Sequence, residues 1–334
     1  MTFNLSLLSK YRTELMGISA LLILICHSVA YISMPNFMKY TLSLGNIGVD
    51  LFLFISGMGL WYSLEKFNSN NRGSAWGGIL YWYKDRYKKL FVPYLLTIFV
   101  SIILQYCFGT IHFNGLIDFI LYISTLRFYT SHSAPWFIAA IIPLYFFAPL
   151  FFNLLKRNVW LFASALIIIF YAIHFFPSSY FPESFADIWD NIQFVSIRAT
   201  CFVLGMSMGQ LVKSSKTIPI WLLITLFIIG IVTIYFTKHL VYSYFFFTLP
   251  LICSLSFLME LSCDIIRKVM SFMGKISLES YIFNGAIPGI VISLFTMLNL
   301  PVFNNILPYL LACVIGIFIS YLIYSIAAYI IKRT

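Results

Sequence analysis

Charged side chains are scarce in this sequence. Only 10% of its 334 residues are Asp, Glu, Lys or Arg, whereas 61% are hydrophobic. A soluble domain carries about 25% charged residues, and without them a chain of this length cannot surround its core with a polar shell. Apolar runs of about 17 to 25 residues recur throughout, and each can cross the hydrocarbon layer as a helix. The composition excludes a soluble protein and predicts an all-α, polytopic membrane bundle.

Clusters of metal-binding residues are also missing. The six cysteines lie singly, and the five histidines fall in five different segments. Neither set has the short ligand spacing of a metal centre, and the cysteines form no disulfide framework. We therefore expect no metal cofactor. We also expect no cleavable signal peptide, because the first apolar stretch carries Glu14 and His27 and no small-residue cleavage site follows it.

The basic residues fall mainly in alternate loops. We predict about ten transmembrane helices, at residues 13–34, 44–65, 87–109, 134–154, 158–175, 193–212, 217–236, 241–261, 271–296 and 305–331. With a cytoplasmic N-terminus, 17 of the 21 Lys and Arg residues lie on the cytoplasmic side, against three outside and Arg198 within a helix. This asymmetry predicts that both termini are cytoplasmic. The net charge of +10 therefore indicates topology rather than a nucleic-acid partner.

The remaining segments leave little room for a second domain. Residues 113–127 contain a shorter apolar patch, which we predict to be re-entrant or interfacial rather than spanning. Residues 176–192 carry three acidic side chains among aromatics and prolines, so we predict that they lie on the outer surface. We detect no inverted internal repeat of the kind found in transporters. The whole chain, 1–334, is expected to form one membrane domain.

Three ionisable residues lie within predicted helices at a similar depth. At about 1.5 Å per residue, His27, Asp50 and Arg198 fall about 8 to 11 Å below the outer ends of their helices. Ionisable groups inside a span are costly unless they face a polar cavity, which makes them functional candidates. An aspartate and an arginine beside an imidazole could orient it as a general base. The alternative is that all three are helix-packing groups.

Six short motifs follow one another along the chain. They occupy residues 12–28, 45–57, 83–94, 135–137, 198–205 and 274–281. In this order they resemble the acyltransferase 3 family, integral membrane enzymes that O-acylate bacterial surface glycans. Two positions depart from that pattern. Met16 stands where the family usually has an arginine, eleven residues before His27, and Asn284 stands where the last motif often ends in histidine.

The resemblance implies an acyltransferase in the bacterial plasma membrane. Its donor would be acyl-coenzyme A, most commonly acetyl-coenzyme A, and its acceptor a hydroxyl group of a saccharide or glycolipid. Arg12, one turn before Met16, could supply the missing positive charge. The implied site residues are His27, Asp50 and Arg198 for catalysis, Arg12, Arg86 and Lys89 for the donor, and Ser56, Trp136 and Asn284 for the acceptor.

The charge pattern is compatible with this donor. Coenzyme A is a cytoplasmic polyanion, and the segment 66–89 concentrates six cations on the cytoplasmic side, among them Arg72, Arg86 and Lys89. Guanidinium groups grip phosphates bidentately. The alternative is that these charges only set the orientation in the membrane. Trp136 could likewise stack on a sugar ring or simply anchor the helix at the interface.

Other functions stay open at this stage. A permease for a small polar or glycan-related substrate would also place polar groups in the outer half of a helical bundle. A catalytically inactive relative becomes plausible if Met16 is decisive. The sequence does not identify the acceptor, the acyl chain length or the oligomeric state.

Overall fold

The computed structural model describes residues 1–70, 75–131, 135–300 and 305–333. Arg72, one of the cations in the segment 66–89, and His132, one of the five histidines, lie outside the described residues. The described chain is almost entirely helical, as predicted. Its helices are α1 (Ser6–Lys10), α2 (Arg12–Tyr31), α3 (Asn36–Ser43), α4 (Ile47–Asn70), α5 (Ala75–Cys107), α6 (Leu116–Ile123), α7 (Arg127–Ser131), α8 (Trp136–Arg157), α9 (Val159–Phe175), α10 (Glu183–Lys213), α11 (Ile220–Thr237), α12 (Tyr244–Leu261), α13 (Asp264–Lys275), α14 (Ser277–Met297) and α15 (Ile306–Arg333).

The helical bundle has the length and polarity of a membrane domain. Within the described residues, nine helices are long and apolar enough to cross a bilayer, and α9 is a shorter apolar helix of 17 residues. Together they correspond to the ten helices predicted from the sequence. Their outward faces carry Ile, Leu and Phe side chains, which a bilayer accepts and water does not. The chain is a multi-pass membrane protein.

Several predicted boundaries were wrong. The helix α5 begins at Ala75 rather than near 87, so the basic run that contains Arg86 and Lys89 is helical and not a loop. The predicted helix 271–296 is two helices, the amphipathic α13 and the spanning α14. Most of the segment 176–192 belongs to α10, which begins at Glu183. Periodicity alone missed these joints because charged helical turns beyond the hydrocarbon layer resemble loops.

The helices α4 and α10 cross at the centre of the bundle. Both are mostly buried, and their close approach requires glycine at the crossing point. A Cβ atom at Gly57 would overlap the backbone oxygen of Phe202, and one at Gly205 would overlap that of Phe54. Small residues let backbones come together in this way in membrane bundles. The crossing fixes the relative positions of the polar residues on both helices.

A small strand pair closes one end of the bundle. The strand β1 (Thr2–Asn4) pairs antiparallel with β2 (Thr217–Pro219), which precedes α11. Nearby, Lys10 Nζ lies 2.7 Å from Glu260 Oε2, and the hydroxyl of Tyr11 donates to the same oxygen at 2.6 Å. These contacts attach the N-terminal segment to α12.

We call the side of the molecule that carries Arg86, Lys89, Lys275 and Lys332 the basic end.

Candidate active site

A large cavity opens at the basic end. It has a volume of about 480 Å³ and lies among α2, α4, α5, α8, α13, α14 and α15. Its walls are largely apolar, with Phe52, Leu90 and Ile141 among the lining residues. We call it the basic-end cavity. An apolar cavity of this size can hold part of an organic ligand.

Cations surround this cavity. Arg86, Lys89, Lys275 and Lys332 contribute to its lining. Asp85 neutralises part of this charge, because its Oδ2 lies 2.8 Å from Lys89 Nζ and 3.8 Å from Arg86 Nε. The remaining positive charge makes the opening of the cavity suitable for an anion.

Arg12 extends this cationic group. Its guanidinium packs against Gly59, where a Cβ atom would overlap it, and interacts electrostatically with Arg86 and Tyr145. Tyr145 itself lines the basic-end cavity. Among the described residues, no carboxylate lies within ion-pair distance of Arg12. Two neighbouring guanidinium groups, one of them without a counterion, are an arrangement that phosphate groups stabilise.

Three further residues of interest line the basic-end cavity. Met16 is one of them, so the position where the family usually has arginine does face this space. Ser56, expected to contact the acceptor, lies here instead. Glu279 is 2% exposed, and its Oε2 has no hydrogen-bond partner among the described residues. The sequence analysis had not assigned Glu279 to a site.

A second, more polar cavity contains His27. It has a volume of about 270 Å³, and its lining is formed by His27, Ser101, Gln105, Tyr122, Pro135, Tyr281, Ile282, Gly285 and Ala286. Gln105 Nε2 donates to Ser101 Oγ at 3.0 Å, and Gln105 also interacts with the hydroxyl of Tyr122. Burial raises the pKa of the Tyr122 hydroxyl above its ordinary value. We call this space the His27 cavity; its hydroxyl and amide groups suit a hydroxylated molecule.

Tyr281 separates the two cavities. It is the residue of α14 that lines both of them, and its side chain is half-buried. The hydroxyl oxygen accepts a hydrogen bond from the backbone N–H of Phe137 at 3.2 Å, and the two rings lie 5.6 Å apart. Phe137 lines the basic-end cavity, while Pro135, two residues earlier, lines the His27 cavity. The start of α8 and the side chain of Tyr281 therefore form a thin wall between them.

His27 is held by α14 and α15. The amide nitrogen of Asn284 lies 2.8 Å from Nδ1 of His27, and the amide oxygen lies 3.4 Å from the hydroxyl of Tyr309. Tyr309 in turn donates to the backbone oxygen of Leu24 at 2.5 Å. Asn284 was expected to bind the acceptor. The structure places it against the imidazole instead.

Asp50 and Arg198 pair with one another, and neither makes a hydrogen bond to His27 within the part of the chain that the structure describes. Arg198 Nη1 donates to Asp50 Oδ2, and both side chains are 1% exposed. Neither residue lines the two cavities. Asp50 was expected to orient the imidazole, but its carboxylate is occupied by the guanidinium and by Cys201 Sγ at 3.6 Å. The crossing of α4 and α10 turns these charges toward each other.

Trp136 belongs to the surroundings of Arg198. The guanidinium carbon lies 5.6 Å from its ring centroid and 4.9 Å from that of Tyr244. The ring of Trp136 also packs edge-on against Phe194 at 4.9 Å. This tryptophan is not among the described residues that line the His27 cavity. Its aromatic face encloses a buried cation.

The sequence analysis assigned no role to Gln105, Tyr281 or Tyr309, which lie in the two cavities or next to Asn284. Gln105 had a visible signal, because it is a polar side chain inside an apolar span. Tyr281 ends the last of the six motifs, but it was given no role, and nothing in the sequence distinguished Tyr309 among the 22 tyrosines. Within the described residues, no group of three His, Cys, Asp or Glu side chains could hold a metal ion.

Comparison with known proteins assigns the family. The model of an acyltransferase domain, that of the acyltransferase 3 family, matches residues 15–325. A search of curated proteins and a search of solved structures each gave no significant match. The match covers nearly the whole chain. It includes His27, the cations Arg86 and Lys89, and every lining residue of the two cavities except Ala327, Ala328, Ile331 and Lys332. The chain therefore belongs to the acyltransferase 3 family and is a membrane acyltransferase.

Proposed function

We propose that the protein moves an acyl group, normally acetyl, from acyl-coenzyme A to a hydroxyl group of a saccharide or glycolipid at the cell envelope of a bacterium. The observation that carries this proposal is the pair of cavities that share Tyr281 as a wall. One is apolar and bordered by cations; the other is polar and contains His27. A reaction between a charged thioester and a hydroxylated acceptor needs such a pair. The family assignment favours this transfer over the permease alternative.

The donor fits the basic-end cavity by charge and shape. Its phosphates would contact Arg12, Arg86, Lys89, Lys275 and Lys332, since guanidinium and ammonium groups bind phosphate oxygens strongly. Its pantetheine arm would occupy the apolar part of the basic-end cavity, with the thioester toward Tyr281. Buried Glu279 lines this cavity and offers a hydrogen-bond acceptor for an amide N–H. Arg12 takes over the charge that Met16 lacks.

The acceptor fits the His27 cavity. Hydroxyl groups can exchange hydrogen bonds with Ser101, Gln105 and Tyr122, which lie around the imidazole. His27 takes the proton from the reacting hydroxyl as its oxygen bonds to the thioester carbon. The tetrahedral intermediate collapses, the carbon–sulfur bond breaks, and the imidazolium returns its proton to the coenzyme A thiolate. The products are the ester and free coenzyme A.

Transfer of labelled acetyl tests this proposal. Proteoliposomes with purified protein would receive labelled acetyl-coenzyme A on the basic-end side and a saccharide extract from the native envelope on the other. We expect label in the saccharide and free thiol in equal amounts. Saccharide uptake that does not require coenzyme A would instead support the permease.

A further inference from the structure

The side chain of Asn284 contacts two groups that compete for its hydrogen bonds. Its amide lies between Nδ1 of His27, at 2.8 Å, and the hydroxyl of Tyr309, at 3.4 Å. Asn284 is 5% exposed and Tyr309 is 4% exposed, so water does not compensate for an unmatched contact. The amide must present its donor to one neighbour and its acceptor to the other.

The hydroxyl proton of Tyr309 decides whether the amide of Asn284 turns its nitrogen or its oxygen toward Tyr309. That proton is committed to the backbone oxygen of Leu24 at 2.5 Å, a much shorter contact than the one with Asn284. The thiol of Cys313 also lies within hydrogen-bond reach of this hydroxyl. The tyrosine oxygen is then an acceptor toward Asn284. An amide nitrogen can satisfy it, whereas an amide oxygen facing it would leave two acceptors in contact without a proton. Nitrogen and oxygen of an amide have nearly the same shape, so the hydrogen-bond network assigns them.

We propose that Asn284 is a positioning residue that holds the proton of neutral His27 on Nδ1. With its NH₂ group donating to Tyr309, its oxygen accepts a hydrogen bond from Nδ1–H. Nε2 then carries the lone pair. Among the described residues, the imidazole makes its hydrogen bond through Nδ1 alone, and the ring lines the His27 cavity. Nε2 is therefore the nitrogen available to a substrate hydroxyl.

The role of Asn284 in catalysis rests on the proposed function, in which His27 is the general base. The position of the proton on His27 follows from the hydrogen bonds alone. An imidazole with its proton on Nε2 could only donate to the acceptor, and it could not remove a proton from it. Hydrogen bonds run from Leu24 through Tyr309 and Asn284 to His27. They leave the lone pair on Nε2, the nitrogen that faces the His27 cavity. The same task was expected of Asp50, which is bound to Arg198 instead.

Nitrogen NMR of the imidazole tests the assignment without an activity measurement. The protein would be labelled with ¹⁵N-histidine in lipid nanodiscs, and the His27 signals identified by their loss in His27→Gln. We expect the proton of the neutral ring on Nδ1 in the native protein and in Asn284→Asp, whose carboxylate also accepts. Asn284→Leu removes the acceptor and should move the proton largely to Nε2. Tyr309→Phe should yield a mixture of both forms.

A matched variant separates positioning from folding. Asn191 is also buried, at 3% exposed, and donates to backbone oxygens of Tyr129 and Asp187. Asn191→Leu should leave the His27 signals unchanged. A proton on Nε2 in the native protein, or an unchanged tautomer in folded Asn284→Leu, would overturn the inference.

The kinetic readout tells this inference apart from the proposed function. In Asn284→Leu we expect kcat to fall about 10-fold or more with an unchanged KM for acetyl-coenzyme A, and recovery in Asn284→Asp. Native tautomer signals as expected, together with full activity in His27→Ala, would refute the role of His27 in transfer and leave the proton assignment standing. Equal kcat values for native protein and Asn284→Leu would refute the positioning role.

Discussion

Asp50 and Arg198 form a buried ion pair that joins α4 to α10. Each side chain is 1% exposed, and the pair lies next to Cys201 and the aromatic rings of Trp136 and Tyr244. Two guanidinium nitrogens, Nε and Nη2, have no hydrogen-bond partner among the described residues and face this aromatic surrounding. A pair enclosed in this way can hold two helices together, whereas a catalytic pair needs a surface that substrate reaches.

We therefore expect this pair to contribute to stability more than to the chemical step. Asp50→Leu or Arg198→Met alone leaves one buried charge without its partner, which costs about 3 to 5 kcal/mol. Each single variant should unfold at a lower temperature in detergent. The double variant should recover most of that loss, and its acetyl transfer per folded molecule should stay near the native rate. A stable but inactive double variant would make both residues catalytic.

The fold was largely predictable because apolar length and loop charge are strong signals. All ten predicted helices are present, and errors fall at joints such as Lys275–Ser277, where a charged helix meets an apolar one. Contacts between helices were not predictable. Depth along each helix grouped His27 with Asp50, but the crossing of α4 and α10 turned Asp50 toward Arg198. Rotation about a helix axis is set by packing, which one sequence does not reveal.

Arg12 should set the affinity for the donor. A hydrogen bond to a charged group contributes about 1.5 to 3 kcal/mol, so Arg12→Ala should raise the KM for acetyl-coenzyme A about 10- to 100-fold. Arg86→Ala should act similarly. Arg12 interacts with Arg86 and Tyr145, which line the basic-end cavity. The control is Arg157→Ala, which removes an exposed cation in the last turn of α8. Steady-state kinetics over a range of donor concentrations measures the effect.

A substitution at Met16 should restore part of the donor binding that Arg12→Ala removes. The Met16 side chain lines the basic-end cavity one turn beyond Arg12. Arg12 interacts with Arg86, which lines the same cavity, so an arginine at position 16 would return a guanidinium to this group of cations. We expect Met16→Arg in the Arg12→Ala background to lower the donor KM at least partly toward the native value. Met16→Lys should do less, because an ammonium group lacks the bidentate geometry. If neither substitution changes the KM, the donor phosphates bind elsewhere.

Tyr281 should keep water and acceptor apart from the donor until both are bound. It is part of the wall between the two cavities. Tyr281→Ala should join them, and we expect acetyl-coenzyme A hydrolysis to increase while transfer to saccharide falls. Tyr281→Phe keeps the ring and should leave the ratio of transfer to hydrolysis close to native. Thiol release and labelled saccharide, measured in one assay, give that ratio. An unchanged ratio in Tyr281→Ala would show that the ring is not the barrier.

The central claim is that His27 acts as the general base, and one paired measurement tests this role most directly. Purified native protein and His27→Ala would be compared for acetyl-coenzyme A binding and for transfer of labelled acetyl to the envelope saccharide extract. General-base catalysis contributes about 10²- to 10⁴-fold, so we expect transfer by His27→Ala to fall by about that factor with native donor affinity. Transfer at the native rate by the folded variant would contradict a role for His27 in the reaction.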